Sequence, residues 1–157
     1  GLVSAAEKFK TNLSIVKSVI KSNNDRVNLL TKRVHKILGN NLRNKKIGIL
    51  GVTFKPNTDD MRDSTSLKMI PYYCKKGAIV TYYDPSGEKE EFKKLKNCEF
   101  KKNIKDTCKD SDLIILLTEW DEFKSLDFKK LSKKKNFKVY DLRNLYNPEE
   151  MLNKKIY

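Results

Sequence analysis

Three cationic side chains stand just beyond short apolar runs in this sequence. Lys55 and Arg62 follow Ile47-Gly48-Ile49-Leu50, and Arg143 follows Phe137–Tyr140. A lysine ammonium meets a phosphate or sugar oxygen as a point charge, whereas an arginine guanidinium offers a planar fork of donors. The chemistry these residues suit is capture of a small anion. The stretches that carry them, Phe54-Lys55-Pro56-Asn57-Thr58-Asp59-Asp60-Met61-Arg62 and Asp141-Leu142-Arg143-Asn144, are polar. So are Asp84-Pro85 and Thr118-Glu119-Trp120-Asp121, which end two further apolar runs.

The elements between these stretches decide whether the cations can meet. Ile47–Leu50, closed by Gly51, reads as a buried strand, as do Ala78–Tyr83, Leu113–Leu117 and Phe137–Tyr140, with a short strand at Cys98–Phe100. Ser64–Lys75 has helical spacing through Leu67, Ile70, Tyr73 and Cys74, and Gly77 stops it. Glu88–Lys96, Phe128–Lys134 and Pro148–Leu152 are expected to be helical as well. Strands alternating with helices at these distances predict right-handed βαβ units. The expected fold is α/β: a Rossmann-like, open, mostly parallel sheet with helices on both faces. In such sheets ligands bind beyond the carboxyl ends of the strands, where strand order reverses. The loops after the first, fourth and fifth strands then share one edge, and Lys55, Arg62 and Arg143 become candidate anion contacts.

Upstream, residues 1–43 form a separate helical segment, with 44–157 as the sheet domain. Ile15, Val16, Val19 and Ile20, then Val27, Leu30, Val34, Ile37 and Leu38, recur at spacings of three and four. Gly39-Asn40-Asn41 is a stop signal. Apolar faces of this kind need a partner surface, another domain or a second subunit.

The turn after the first strand is not GxGxxG. Gly51 is followed by Val52-Thr53-Phe54, so the close backbone approach to a pyrophosphate that three glycines allow is not encoded. Without that fingerprint Asp84 reads as a turn cap in preference to a ribose ligand, and Thr58 and Asp60 as loop-capping residues. Arg62 has a structural alternative in pairing with Asp59 or Asp60. Trp120 reads as a core or interface packing residue and His35 as a surface or packing residue. Cys74, Cys98 and Cys108 show no CxxC spacing and are odd in number, which fits inert thiols in a reducing compartment and argues against a disulfide framework or a metal site.

With 34 basic against 20 acidic residues the net charge is +14. A polyanion partner is one reading. The lysines run from Lys8 to Lys155 without an interleaved aromatic platform, so a surface rich in lysine is the other, and nucleic acid is not expected. No apolar run approaches the roughly 20 residues of a membrane span. No leader is visible at Gly1, and no initiator Met is present. The expectation is a cytoplasmic chain that is a fragment or a processed product.

The ordered motifs resemble a known family. Gly51-Val-Thr-Phe-Lys-Pro-Asn-Thr-Asp-Asp-Met-Arg-Asp-Ser64 looks like the signature that opens the last domain of the UDP-glucose/GDP-mannose dehydrogenases. Tyr83-Asp84-Pro85, Thr118-Glu119-Trp120-Asp121-Glu122-Phe123 and Asp141-Leu-Arg-Asn-Leu-Tyr146 follow in the family's order, and the Thr-Glu-Trp-Asp form favours the UDP-glucose branch. The resemblance implies that Phe54, Lys55 and Arg143 contact a UDP-sugar and that Arg62 reaches the pyrophosphate of NAD. It implies conversion of UDP-glucose to UDP-glucuronate by two successive NAD-dependent oxidations through a Cys nucleophile. It also implies a homodimer through the N-terminal helices.

Against that pattern, the glycine-rich NAD-binding start and the glycine-flanked segment with the nucleophilic Cys are missing, and none of the three cysteines has such a context. NAD is therefore expected to sit mainly on a domain absent from this chain, and the chain alone is expected to be inactive. Leu142 stands where a glycine is common and is expected to crowd the loop of Arg143. A dehydrogenase acting on another UDP-sugar, such as UDP-N-acetylmannosamine, fits the same motifs. A receiver-type signalling module does not, because the third strand lacks a terminal phosphoacceptor Asp and the fifth ends in Asp141 where it needs a Lys.

Overall fold

The computed structural model describes residues 27–146. The chain divides into two compact units between Val34 and His35. Residues 27–37 are helical, with Leu30 and Val34 buried. Most of the helical segment expected before residue 44, and the turn expected at Pro148–Leu152, lie outside the described residues. So does most of the surface expected to carry a dimer contact.

Five strands form one wholly parallel sheet: β1 (Lys46–Leu50), β2 (Ile79–Tyr83), β3 (Cys98–Phe100), β4 (Leu113–Leu116) and β5 (Lys138–Asp141). Their order is β3-β2-β1-β4-β5. The chain steps outward from β1 to β3, then returns past β1 to lay down β4 and β5. The reversal falls between β1 and β4, so the loops leaving those two strands flank the crevice where such sheets take ligands. This is the expected Rossmann-like architecture.

Strand alternation divides the core in two. Gly48, Leu50, Ile114, Leu116 and Val139 share one face by register, and Ile47, Ile49, Leu113 and Ile115 share the other. The first face packs with Cys108, Phe123, Phe128, Phe137 and Tyr146. It is covered by the short helices α2 (Ile104–Cys108) and α3 (Phe128–Leu131). A side chain at Gly48 would place a Cβ 2.8 Å from the carbonyl oxygen of Thr107, so the glycine lets α2 lie directly on β1. Thr81 donates to the same carbonyl at 2.7 Å.

Helix α1 (Ser66–Lys75) links β1 to β2. Its crossover runs in the opposite sense across the sheet from that of α2, and right-handed connections then put the two helices on opposite faces. Met69, Ile70 and Tyr73 are its buried residues beside Ser66. On the same side Tyr82 meets Phe92 edge-on, with ring centroids 5.3 Å apart. His35 bonds the Tyr72 hydroxyl at 2.6 Å, which makes it a packing residue of the second unit.

One expected helix is corrected. Glu88–Lys96 contains only a 3-10 turn at Glu90–Phe92. Lys89 is extended (φ −111°, ψ 129°) and gives its amide to the Tyr82 hydroxyl at 2.9 Å, and Asn97 turns the chain at φ 64°. Helix α2 was not expected. Asn103 caps it, accepting from the Asp106 amide at 2.7 Å. No helix among the described residues is long and apolar enough to cross a membrane.

Candidate functional site

All five strands point the same way, so the loops after β1, β2, β4 and β5 emerge on one edge. The β1 turn begins at Gly51, with φ 82°, in the left-handed region that suits glycine. Its amide donates to the Tyr83 carbonyl at 2.8 Å, extending the ladder by one rung. The next two amides, of Val52 and Thr53, both donate to Oδ2 of Asp84, at 2.8 and 3.2 Å. Asp84 is 1% exposed, and it is a loop cap: a buried carboxylate stabilised by backbone N–H groups. The Val52 carbonyl accepts from both Ser64 and Ser66 hydroxyls at 2.6 Å. Phe54 closes the loop by donating its amide to the Asp60 carbonyl at 3.1 Å.

On this framework Phe54 and Lys55 project outward. Phe54 is 48% exposed, one of three large apolar side chains so exposed among the described residues. Lys55 is exposed, and its ammonium forms no ion pair among the described residues. A free ammonium and an exposed ring side by side suit a phosphate or hydroxyl beside a flat or apolar group.

Arg143 is half-buried. Its Nε donates to the Leu117 carbonyl at 2.8 Å, and its amide to Oδ1 of Asp141 at 3.1 Å. Leu117 in turn gives its amide to the Leu50 carbonyl at 3.0 Å, and Thr118 gives its hydroxyl to the Thr53 carbonyl at 2.7 Å. Thr53 donates its own hydroxyl to the Lys55 carbonyl at 3.0 Å. A continuous set of contacts through the β4 loop therefore ties the loop of Arg143 to the loop of Lys55. Leu142 lies between Asp141 and Arg143 in this loop. It is buried at 9% exposure and its amide bonds Leu116, while Asn144 takes the left-handed turn at φ 55°.

Arg62 is placed differently. Its guanidinium grips Asp60 in a fork, Nε to Oδ1 at 3.0 Å and Nη2 to Oδ2 at 2.9 Å, with the side chain 88% exposed. That hydrogen bond, with one from the Arg62 amide, holds the Asp60 carboxyl down at about 2. Beside the pair lies a hollow of about 350 Å³ lined by Asp59, Asp60, Met61, Arg62, Leu67 and Glu91. Three carboxylates make it a poor seat for phosphate, and neither Lys55 nor Arg143 borders it.

The β1 turn does not fit the pyrophosphate of a dinucleotide. The amides that a glycine-rich turn would offer to phosphate oxygens are here donated to Asp84. All three thiols lie away from the ligand edge: Cys74 is in the last turn of α1, Cys108 ends α2 and Cys98 begins β3, positions at the amino ends of the strands. Among the described residues no cluster of metal ligands is present.

Several contributors were not read from the sequence. Ser64, Ser66 and Thr118 shape the β1 loop through hydroxyl-to-carbonyl bonds, for which a single sequence carries no periodic signal. Trp120 packs against the cluster on the first face, as expected.

A doubly wound parallel sheet, switch-point loops tied together and a cation-bearing edge define a domain of the Rossmann-like class with a candidate anion site. Residues 48–148 match the UDP-glucose/GDP-mannose dehydrogenase family, UDP binding domain. The chain belongs to this family. It is 35% identical over 151 residues to a UDP-glucose 6-dehydrogenase of Rhizobium meliloti (strain 1021), covering 96% of the chain and 35% of that protein. Among solved structures it resembles a UDP-glucose dehydrogenase of Pyrobaculum islandicum, with TM-score 0.71 and 25% identity over 85% of this chain and 30% of that one. It also resembles an NDP-N-acetyl-D-galactosaminuronic acid dehydrogenase of Methanosarcina mazei Go1, with TM-score 0.68 and 27% identity over 84% and 27% of the two chains. The chain thus spans about a third of the length of these relatives.

Proposed function

We propose that this chain is the nucleotide-sugar-binding part of an NAD-dependent UDP-glucose 6-dehydrogenase, with Lys55, Phe54 and Arg143 as its contacts to the UDP-sugar. The supporting observation is the hydrogen-bonded link from Arg143 through Leu117, Thr118 and Thr53 to the Lys55 loop at the switch point. Lys55 supplies a point charge and Arg143 a guanidinium, on loops joined by hydrogen bonds, so a diphosphate meets both without ordering either loop. Phe54 covers an apolar flank of the ligand.

NAD chemistry is hydride acceptance, and this chain's part in it is small. The β1 turn is closed to a pyrophosphate, so the dinucleotide is held mainly elsewhere. Arg62, exposed and still carrying guanidinium N–H groups beyond its fork on Asp60, reaches toward it from this side. With its thiols away from the ligand edge, the chain supplies no nucleophile. Given UDP-glucose and NAD, the pure chain makes no NADH; measured NADH production sinks this part of the reading.

Calorimetric titration of UDP tests the binding assignment. Wild type binds UDP, and Lys55→Ala weakens binding about tenfold, as expected for a lost charge-assisted contact. Equal affinity in the two proteins removes Lys55 from the site. A second reading, the same domain of a dehydrogenase for another UDP-sugar such as UDP-N-acetylmannosamine, draws some support from the likeness to the Methanosarcina mazei NDP-sugar enzyme, and the UDP-glucose reading is the better supported. Both readings share the UDP contacts and differ in the sugar.

A further inference from the structure

Lys89 is 5% exposed. A buried ammonium is costly unless it is hydrogen-bonded and meets opposite charge. Its Nζ donates to Ser86 Oγ at 2.5 Å, and Ser86 Oγ donates to Asp84 Oδ1 at 2.5 Å. The Ser86 amide donates to the same oxygen at 2.9 Å. The other carboxylate oxygen holds the Val52 and Thr53 amides. An unbroken path therefore runs from a buried cation, through a hydroxyl and a carboxylate, to the two amides that precede Phe54 and Lys55. The path is anchored at its far end, because the Lys89 amide bonds the buried Tyr82 hydroxyl at 2.9 Å.

Such a path fixes the Asp84 carboxylate in rotation. With Oδ1 pinned by Ser86 and the ammonium behind it, Oδ2 stays on the Val52 and Thr53 amides. Removing the cation leaves Ser86 free to turn, and the carboxylate then loses its only charge compensation within this path. The carbonyls of this turn are held by the Ser64, Ser66 and Thr118 hydroxyls, and its Val52 and Thr53 amides are held by this carboxylate.

We propose that Lys89, acting through Ser86 and Asp84, is a positioning residue that sets the loop bearing Lys55 and thereby the affinity for a nucleoside diphosphate. The proposal rests on the reading of Lys55 as a contact to that diphosphate. Lys89 itself touches no ligand.

The test uses the full chain as wild type, Lys89→Met, Lys89→Arg, Lys55→Ala and the double variant Lys55→Ala/Lys89→Met. Calorimetry with UDP and amide hydrogen exchange by NMR are the readouts. Lys89→Met is expected to weaken UDP binding about five- to tenfold, with Lys89→Arg recovering most of it, and to add almost nothing once Lys55 is gone. Exchange at Val52 and Thr53 is expected to speed up about tenfold in Lys89→Met while β4 and β5 amides stay protected. Unchanged exchange at Val52 and Thr53 in a folded Lys89→Met overturns the relay, as does a loss of affinity equal with and without Lys55. Should Lys89→Met fail to fold, Ser86→Ala breaks the same path and is judged by the same criteria. A wild-type chain that binds no UDP sinks the nucleotide reading and the affinity half of the proposal, while the exchange measurement still upholds or overturns the relay.

Discussion

Gly51 and Thr118 touch across the switch point. A Cβ on Gly51 would fall 2.6 Å from Thr118 Cβ and 3.0 Å from its amide nitrogen, in a residue already at φ 82°. The β1 and β4 loops can therefore approach only because one has no side chain. Gly51→Ala is expected to destabilise the fold by about 2–4 kcal/mol, combining a left-handed backbone penalty with overpacking. Urea unfolding checks this; a loss within about 0.5 kcal/mol of zero shows that the loops separate without cost.

Asp60 gives a pH signature. Its carboxyl lies at about 2 against an ordinary 3.8, first because of the Arg62 side-chain hydrogen bond and then the Arg62 amide. A folded value below the unfolded one means that the pair's contribution is complete above 3.8 and fades as pH falls through about 2. In Arg62→Ala the Asp60 carboxyl is expected to titrate back toward 3.8, followed by its carboxyl carbon shift in NMR. A value that stays near 2 removes Arg62 as the cause.

The thiols are expected to differ in reactivity for a structural reason. The hydrogen bond between Cys74 and Cys98 pushes the Cys74 thiol down and, together with burial, pushes Cys98 up. Burial pushes Cys108 up to about 12. Because the thiolate is the nucleophile, iodoacetamide at mildly alkaline pH is expected to label Cys74 first and Cys108 last, as read by peptide mass. Cys108 reacting before Cys74 contradicts the geometry.

Tyr146 ties the loop after β5 to the core. Its hydroxyl donates to the Phe123 carbonyl at 2.7 Å and accepts the Leu126 amide at 2.9 Å, while its amide bonds Asp141 at 3.0 Å. Tyr146→Phe keeps the ring against Phe128 and strands two backbone groups. A loss of about 1–3 kcal/mol in chemical unfolding is expected. A neutral result shows that water replaces the hydroxyl.

β1 and β4 were legible as short apolar runs closed by polar residues, β2, β3 and β5 less sharply because they carry polar or charged residues, and the parallel arrangement followed from the helices between the strands. Lys55 and Arg143 were legible as strand-end cations. The helix expected at Glu88–Lys96 was not formed, because strong local propensity lost to a tertiary bond: Tyr82 takes the Lys89 amide and holds Lys89 extended. Helix α2 was missed because a five-residue helix shows too little of its period to read. Asp84 was legible as a cap from the absent glycine fingerprint. Its link through Ser86 to Lys89 was not, since nothing in the sequence marks Lys89 apart from its many exposed neighbours.

The most direct test of the central claim is an amide NMR titration of the full chain with UDP. Shifts concentrated on Val52–Lys55, Thr118 and Leu142–Arg143, and abolished together in Lys55→Ala/Arg143→Ala, are the expected result. Shifts that instead gather around Asp59, Asp60 and Glu91, or that survive unchanged in the double variant, contradict it.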